Sequence, residues 1–500
     1  MVTSRIQWRA SFAAALQAAV LAATCCPGSM GWAAWRTVVN HGSSTNRVDI
    51  VFVGDGYTQA QISSGLYSSH VQQYLDYLWS GTNHLADPFP RYRNFFNVHQ
   101  IEVASLESGA DHPSQGIYRN TAFDATYDSA GIDRLLTINT SKANSAVSTN
   151  LSGTGIIADM RMATVNDPAY GGSGGNWAVY AGPNQQAREL ALHELSHAFS
   201  NTADEYVTRT GTYPGGEPAA VNATKDPTGA KWSQWLGFDD PRADDLEIGV
   251  YEGAADYPAG VYRPSLDSKM RTLGRPFNAV VREKTILDIY KYVDPLDAWM
   301  ANSTAVHDSP LWVEIVDPEV IAVDWYVNDQ LVATDYGEQF DLADFNFAVG
   351  TYSVRALAYD RIAHHAGDGS LLDLVRVGLD KLQQQVDWTV QLTAVETIPG
   401  DFNGDSIVDD RDLLVWRQTF NSTNQLAADA NGNGIVDAAD YTVWRNHVGA
   451  TLERASTGRM QLPEPGLVTF SIAVAVGATW PRRGYTVRRQ RAVLPHPRCV

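Results

Sequence analysis

Two segments near the C-terminus, DFNGDSIVDDRDLLVWRQTF (401–420) and DANGNGIVDAADYTVWRNHV (429–448), align without gaps and agree at ten of twenty positions. A gapless repeat is one supersecondary unit used twice. Oxygen-bearing side chains fall at positions 1, 3, 5, 9 and 12 of each unit: Asp401, Asn403, Asp405, Asp409 and Asp412, then Asp429, Asn431, Asn433, Asp437 and Asp440. Alternate residues of a tight loop point inward and the twelfth returns from a following helix. The spacing therefore builds two cages of hard oxygen ligands, each suited to a calcium ion. Two solvated acidic turns would leave the recurring apolar pair and the recurring Val-Trp-Arg unexplained. Ser406 stands where such a loop favours Gly, and Gly434 fits the same position in the second copy.

The rest of the chain is long enough for two to four domains. Its 500 residues carry 37 Lys+Arg against 56 Asp+Glu, a net charge of -19. Such a surface repels phosphate backbones, so nucleic acid is excluded as a natural partner. Residues 1–33 read as a secretory signal, with Arg5 and Arg9 ahead of an alanine-rich apolar run too short for a membrane span. Of three cysteines, Cys25 and Cys26 leave with that leader and Cys499 remains. An exported chain without a disulfide framework depends on a large core, which 44% apolar residues can supply, and on metal ions.

Residues 36–300 mix the two periodicities. RVDIVFVGDGY (47–57) predicts a buried strand, SSGLYSSHVQQYLDYL a helix behind it, and FFNVHQIEVAS (95–105), TGIIADMRMATV (154–165) and NWAVYAG (176–182) further strands. The class is α+β. From 305 to 395 the texture changes to alternating runs such as VDWYVNDQLVA and YSVRALAYD, the pattern of a small antiparallel β-sandwich in which Trp325 and Trp388 pack the core.

Between them lies HELSHAFSNTADEY (193–206). Ala191, Leu195 and Ala198 share one helical face while His193 and His197 stand one turn apart on another. Two imidazoles at i and i+4 can share one tetrahedral zinc ion, and Glu194 is placed to take a proton from a water molecule that the metal polarises. The same pattern fits a plain helix with two polar residues, and the neighbourhood decides between them. Zinc needs a third protein ligand. The spacing resembles that of metzincins, whose helix breaks at a glycine with the third ligand three residues on. Here Asn201 can form the left-handed stop, and Asp204 follows by three. Asp204 is the expected third ligand, with Glu205 the alternative. Met270, in VYRPSLDSKMR (261–271), is placed as a methionine turn would be, flooring the site with a thioether.

These residues, with DIVFVGDGYT (49–58), PFPRYRNFFNVHQIEVAS (88–105), ESGADHP (107–113) and YGGSGG (170–175), resemble peptidase family M64, the IgA-peptidase-like zinc metallopeptidases. The chain departs from that family's pattern in having Asn201 where Gly is usual and no cysteines beside Met270. The resemblance implies a secreted zinc endopeptidase acting on protein or peptide substrates, with a metzincin-like catalytic domain over 36–300 and a β-sandwich over 305–395. GGSGGNWAVYAG is either the sheet edge onto which substrate adds as a strand or a surface loop, and Tyr206 or Tyr262 would serve the oxyanion.

The paired loops of 400–448 resemble a type I dockerin, a small α-helical calcium module, which implies a cohesin-type partner. The tail, 462–492, resembles a PEP-CTERM sorting signal: Pro463-Glu464-Pro465, an apolar run from Leu467 to Trp480, then Arg482 and Arg483. A sorting enzyme would be its partner, with membrane contact transient or through the tail alone, and an exported or cell-surface protein the result. A competing class is a surface adhesion or assembly protein whose peptidase-like domain is inactive. Intact His193, Glu194 and His197 argue against it.

Overall fold

A computed structural model describes residues 34–243, 245–364, 374–393 and 398–451. The leader at 1–33 and the sorting segment at 462–492 lie outside the described residues. The chain divides into two compact units between Thr393 and Ala394, and the first of them mixes α and β.

The first unit is built on a six-stranded sheet. Its elements run β1 (Ala34–Val39), β2 (Val48–Asp55), α1 (Gln59–Ser63), α2 (Leu66–Leu78), β3 (Phe96–Glu102), α3 (Thr140–Leu151), β4 (Met160–Val165), β5 (Gly172–Ser173), β6 (Ala178–Ala181) and α4 (Ala187–Ser200). The strand order is β1-β3-β2-β4-β6-β5. The four inner strands are parallel, and β1 and β5 run antiparallel at the two edges. Every residue of β2 is buried, because helices cover both faces of a parallel sheet, and its run Ile50–Val53 is apolar on both faces. On one face α2 and α4 pack together, with Tyr74, Leu192 and Leu195 against Met162 and Tyr180. On the other, Ala143, Val147 and Leu151 of α3 join Val51, Val53 and Trp177. The segment 154–159, expected as strand, precedes β4 as irregular chain.

Two carboxylates inside β2 organise the loops above the sheet. Asp55 is fully buried and accepts from the backbone N–H groups of Gly56, Phe123 and Ala125 and from the hydroxyls of Ser105 and Thr121. Asp49 accepts from Asn97 and faces Nε2 of His99 at 3.1 Å. A buried carboxylate is tolerated only with such a set of donors. Asp55 thus ties the loop at 105–125 down at the strand ends.

Beyond α4 come a hairpin of β7 (Tyr251–Ala254) and β8 (Tyr257–Arg263), α5 (Ala279–Ile289), and then strands: β9 (Leu296–Trp299), β10 (Val306–His307), β11 (Leu311–Ile315), β12 (Ile321–Val327), β13 (Gln330–Ala333), β14 (Gln339–Phe340), β15 (Gly350–Asp360), the one-turn α6 (Arg361–His364) and β16 (Gln383–Leu392). They form a five-stranded sheet, β10-β16-β15-β12-β13, and a three-stranded one, β14-β11-β9. Trp325 of β12 stacks on Phe340 of β14 at 5.0 Å and lies 5.8 Å from Trp388 of β16. Both indoles are buried, and their N–H groups reach the carbonyls of Gly337 and Met300.

This core is continuous with the one beneath α4. Asp360, at the end of β15 and fully buried, accepts from Arg91, Tyr92 and Tyr290 at 2.7, 2.7 and 2.8 Å. The change of sequence texture near residue 300 is therefore a change of architecture inside one compact unit.

The second unit holds α7 (Asp410–Thr419) and α8 (Ala438–His447) around Phe402, Val408, Ala428, Val436 and Trp444. Asp409 and Asp437 cap the two helices, each in a capping box with the residue three on, Asp412 and Asp440.

Candidate metal centre

Helix α4 ends where Asn201 takes φ 51° and ψ 51°, a left-handed stop that Asn accepts at low cost. Nδ1 of His193 lies 3.0 Å from the carbonyl of Lys269, and Nδ1 of His197 lies 2.8 Å from that of Thr202. A carbonyl oxygen only accepts, so both Nδ1 atoms carry hydrogen and both Nε2 lone pairs are free. Those Nε2 atoms stand 3.2 Å apart, and Oδ1 of Asp204 stands 3.1 and 3.2 Å from them. Zinc bonds of about 2.0–2.1 Å in a tetrahedron separate neighbouring ligand atoms by about 3.3 Å. Three acceptors facing one point need a cation or a proton between them, and this donor set, two imidazoles and a carboxylate, suits zinc.

The electrostatics agree with that need. Burial alone would raise Asp204, but its contacts with His193 and His197 hold it well below the usual carboxylate range. Burial would likewise lower His197, and the facing Asp204 carboxylate outweighs this and pushes it up to about 9.

Glu205, the alternative third ligand, points the other way. It is fully buried and accepts from Ser268 Oγ at 2.7 Å, Asn222 Nδ2 at 2.9 Å and Asn278 Nδ2 at 3.0 Å, while its own N–H donates to the carbonyl of Met270. Its carboxylate is spent on joining the segment after α4 to the loop at 265–278. Asn222 also bonds both backbone groups of Ala203, so it grips the chain on either side of Asp204. Sequence reasoning missed Asn222, Lys269 and Thr202. The last two act through backbone carbonyls, which leave no mark on residue type, and Asn222 lies in a loop without periodicity.

Glu194 is buried beside the imidazoles, and burial raises its carboxyl against the pull of His193 and His197. A Cβ on Gly174 would stand 2.8 Å from Oε2 of Glu194 and 2.7 Å from Cβ of His197. The backbone just past the edge strand β5 therefore lies directly over the catalytic-type glutamate, an approach open only to glycine. The ring of Tyr206 lies nearly parallel to that of His193 at 6.4 Å. Tyr262 lies in β8, its backbone paired with Thr224. Met270 is fully buried, and its sulfur accepts from Thr202 Oγ1 at 3.7 Å.

In the second unit, carboxylate oxygens of Asp401, Asp405 and Asp412 lie within 4.8 Å of one another. Asp401 accepts from the N–H groups of Gly404, Asp405 and Ser406, and Asp429 from those of Asn433 and Gly434. Asn403 and Asn431 each turn their side-chain oxygen to the N–H two residues on, at Asp405 and Asn433. The twelfth-position carboxylates are fully buried: Asp412 takes the N–H groups of Phe402, Asn403 and Asp409, and Asp440 those of Ala430, Asn431 and Asp437. The two loops are thus the same structure, as their sequences require.

Comparison with known proteins accords with both sites. The family described as IgA Peptidase M64 matches residues 37–245, which contain the sheet, α4 and Asp204. The type I dockerin domain matches residues 399–449, which contain both loops. A search of curated proteins found no match. Residues 37–245 are accordingly similar to the peptidase M64 family, and residues 399–449 to the type I dockerin domain.

Proposed function

We propose that this chain is an exported, zinc-dependent endopeptidase that hydrolyses protein or peptide substrates, with His193, His197 and Asp204 as zinc ligands and Glu194 as general base. The observation that carries this reading is the convergence of two Nε2 atoms and one Oδ1 at 3.1–3.2 Å, with both Nδ1 atoms tied to carbonyls. Zinc bound there supplies a Lewis acid that polarises water and a peptide carbonyl, bringing the water's ionisation near pH 7. Glu194 takes the proton at its carboxylate and hands it to the departing amine. Its buried position keeps bulk water from competing for that proton. Residues 172–173 are held by β6 on one side and by the 134–136 segment on the other, so the backbone of Gly174 and Gly175 just past them is where the substrate would join as a further strand. Tyr206, beside His193, is the better placed of the two tyrosines to donate to the oxyanion.

In this reading the catalytic region is metzincin-like, with Met270 as its floor, and the two sheets of 296–392 form a β-sandwich packed against it. The dockerin domain holds two calcium ions and docks onto a cohesin-type module. The leader exports the chain and the tail presents it to a sorting enzyme at the cell surface.

Purified protein is expected to contain about one tightly held zinc per chain and to cleave unfolded casein. Chelation should abolish cleavage, and Glu194→Ala should lower it by roughly 10²–10⁴-fold with zinc retained. A chain without zinc, or a Glu194→Ala variant that cuts like the parent, would sink the proposal.

A further inference from the structure

The segment after the loop at 105–131 runs beside β5 on the side away from β6. Leu135 bridges Gly172 in parallel, the N–H of Gly172 donates to the carbonyl of Arg134 at 3.3 Å, and Ser173 Oγ donates to the carbonyl of Leu136 at 2.6 Å. A Cβ on Gly171 would stand 2.8 Å from the Arg134 carbonyl and 2.4 Å from the Tyr127 ring. The backbone of Arg134 is therefore fixed against the strand that carries Gly174 over Glu194.

The side chain of Arg134 turns toward the metal site. Its guanidinium carbon lies 5.7 Å from the centre of the Tyr206 ring, and that ring lies nearly parallel to His193. The order from solvent inward is guanidinium, phenol, imidazole. The Tyr206 hydroxyl is the first partner of the Arg134 guanidinium, whose charge also acts on Tyr170, Asp204 and Glu194, and the residue is exposed. Among the described residues it makes no ion pair, whereas Arg47, Arg91, Arg242, Arg275 and Arg282 of the same unit each hold an aspartate. In a chain with 56 acidic and 37 basic side chains, a guanidinium at the rim of the site without a carboxylate is one left available for a carboxylate from outside.

We propose that Arg134 is a specificity residue that binds a carboxylate of the peptide substrate beside the scissile bond. This rests on the zinc-peptidase reading and narrows its substrate class to anionic peptides. A guanidinium pairs with a carboxylate through two parallel hydrogen bonds, and a rim position over an aromatic face keeps it oriented without neutralising it. The carboxylate is either an Asp or Glu side chain or the α-carboxylate at a peptide's end, and the chemistry is the same for both.

The test is a set of matched peptides carrying Glu, Gln or Lys at each position around a cleaved bond, each with a free or an amidated C-terminus, cut by the full zinc-loaded chain. The parent is expected to favour Glu over Gln about tenfold in kcat/KM at one position, the scale of a charge-assisted hydrogen bond. Arg134→Gln should bring that ratio to about one, Arg134→Lys should restore part of it, and Arg134→Glu should turn the preference toward Lys. The ratio within one variant is insensitive to any general loss of activity. A preference that requires the free C-terminus identifies the terminal carboxylate, and one that survives amidation identifies a side chain. Cutting by the parent that depends neither on Glu against Gln nor on a free against an amidated C-terminus, or a preference of either kind unchanged in Arg134→Gln, overturns the assignment while leaving the peptidase standing. No cleavage of any peptide by the zinc-loaded parent overturns both.

Discussion

The carbonyl oxygen of Lys269 holds the Nδ1 hydrogen of His193 at 3.0 Å, so the orientation of a metal-facing imidazole depends on where residue 269 sits. The Lys269 ammonium fixes that place. It is fully buried and paired with Glu189 in the first turn of α4, and Glu189 also accepts from Tyr77 at 2.6 Å and from the N–H of Gly274 at 3.0 Å. Burial lowers Lys269 against the pull of Glu189. Removing one partner strands the other, at about 3–5 kcal/mol. Glu189→Gln and Lys269→Met should each lower the melting midpoint, and each should weaken zinc binding by about 10–100-fold, as partners behind a ligand do. The double variant should regain part of the stability. Zinc affinity equal to the parent's in both single variants, read by chelator competition, would contradict this.

Asp204 and Glu205 separate by experiment as they do by geometry. Asp204→Asn should lose most bound zinc while leaving the fold intact, since its carboxylate faces the two imidazoles and joins no distant segment of the core. Glu205→Gln should keep zinc and cost about 1–3 kcal/mol, because an amide cannot accept all three hydrogen bonds that Glu205 takes. Metal analysis of the two variants decides it, and the reverse pattern would make Glu205 the ligand.

What the sequence showed followed from how local each signal was. The pair His193 and His197, the stop at Asn201 and the two loops are written in spacings of twelve residues or fewer, and the chain folds them as such. The buried run of β2 and the alternation in β15 were equally plain. The spacing after Asn201 favoured Asp204 over Glu205, but what occupies Glu205 was hidden, because Asn222, Ser268 and Asn278 arrive from up to 73 residues away. The shared core beneath α4 and β12 was hidden for the same reason: an apolar face does not name what it packs against.

Asp159 offers a pH test away from the metal. Burial, helped by the neighbouring Asp49 carboxylate, pushes it up to about 6 from 3.8, against a hydrogen bond from the Asp49 N–H. Between those values the folded chain holds a proton that the unfolded chain has released. Its contribution to stability therefore falls as pH rises through about 4 to 6 and is a full penalty above. Asp159→Asn should stabilise the chain by on the order of 1 kcal/mol at pH 7, after discounting for partial exposure, and by little at pH 4. An equal effect at both values would contradict the raised value.

Ser406 takes φ 69°, and Gly434, its counterpart in the second loop, takes φ 87°. A left-handed backbone costs a residue with a Cβ about 1–2 kcal/mol, partly offset by the extra entropy glycine loses on folding. Ser406→Gly should raise the calcium-loaded melting midpoint of the second unit and tighten its weaker site, and Gly434→Ser should do the opposite. Calorimetry with and without calcium reads both, and a lower midpoint for Ser406→Gly would show that its hydroxyl matters more than its backbone.

The two calcium loops are joined by exchanged tryptophans. Nε1 of Trp416 donates to the carbonyl of Asp437 at 2.8 Å, and Nε1 of Trp444 donates to that of Asp409 at 2.9 Å. Asp409 and Asp437 are the ninth residues of the loops and the caps of α7 and α8, so each repeat's helix ends its indole on the other repeat's loop. Ordering one loop around an ion then orders the carbonyl that seats the other's tryptophan, and the two sites should bind calcium with positive coupling. Disabling the second loop with Asp429→Ala should weaken the first by several-fold, and Trp416→Phe or Trp444→Phe should reduce that coupling while costing about 1–3 kcal/mol for the carbonyl left without its donor. Calcium titration of the parent and these variants measures it, and a first loop that binds equally well with its neighbour disabled would mean that the exchanged indoles serve packing alone.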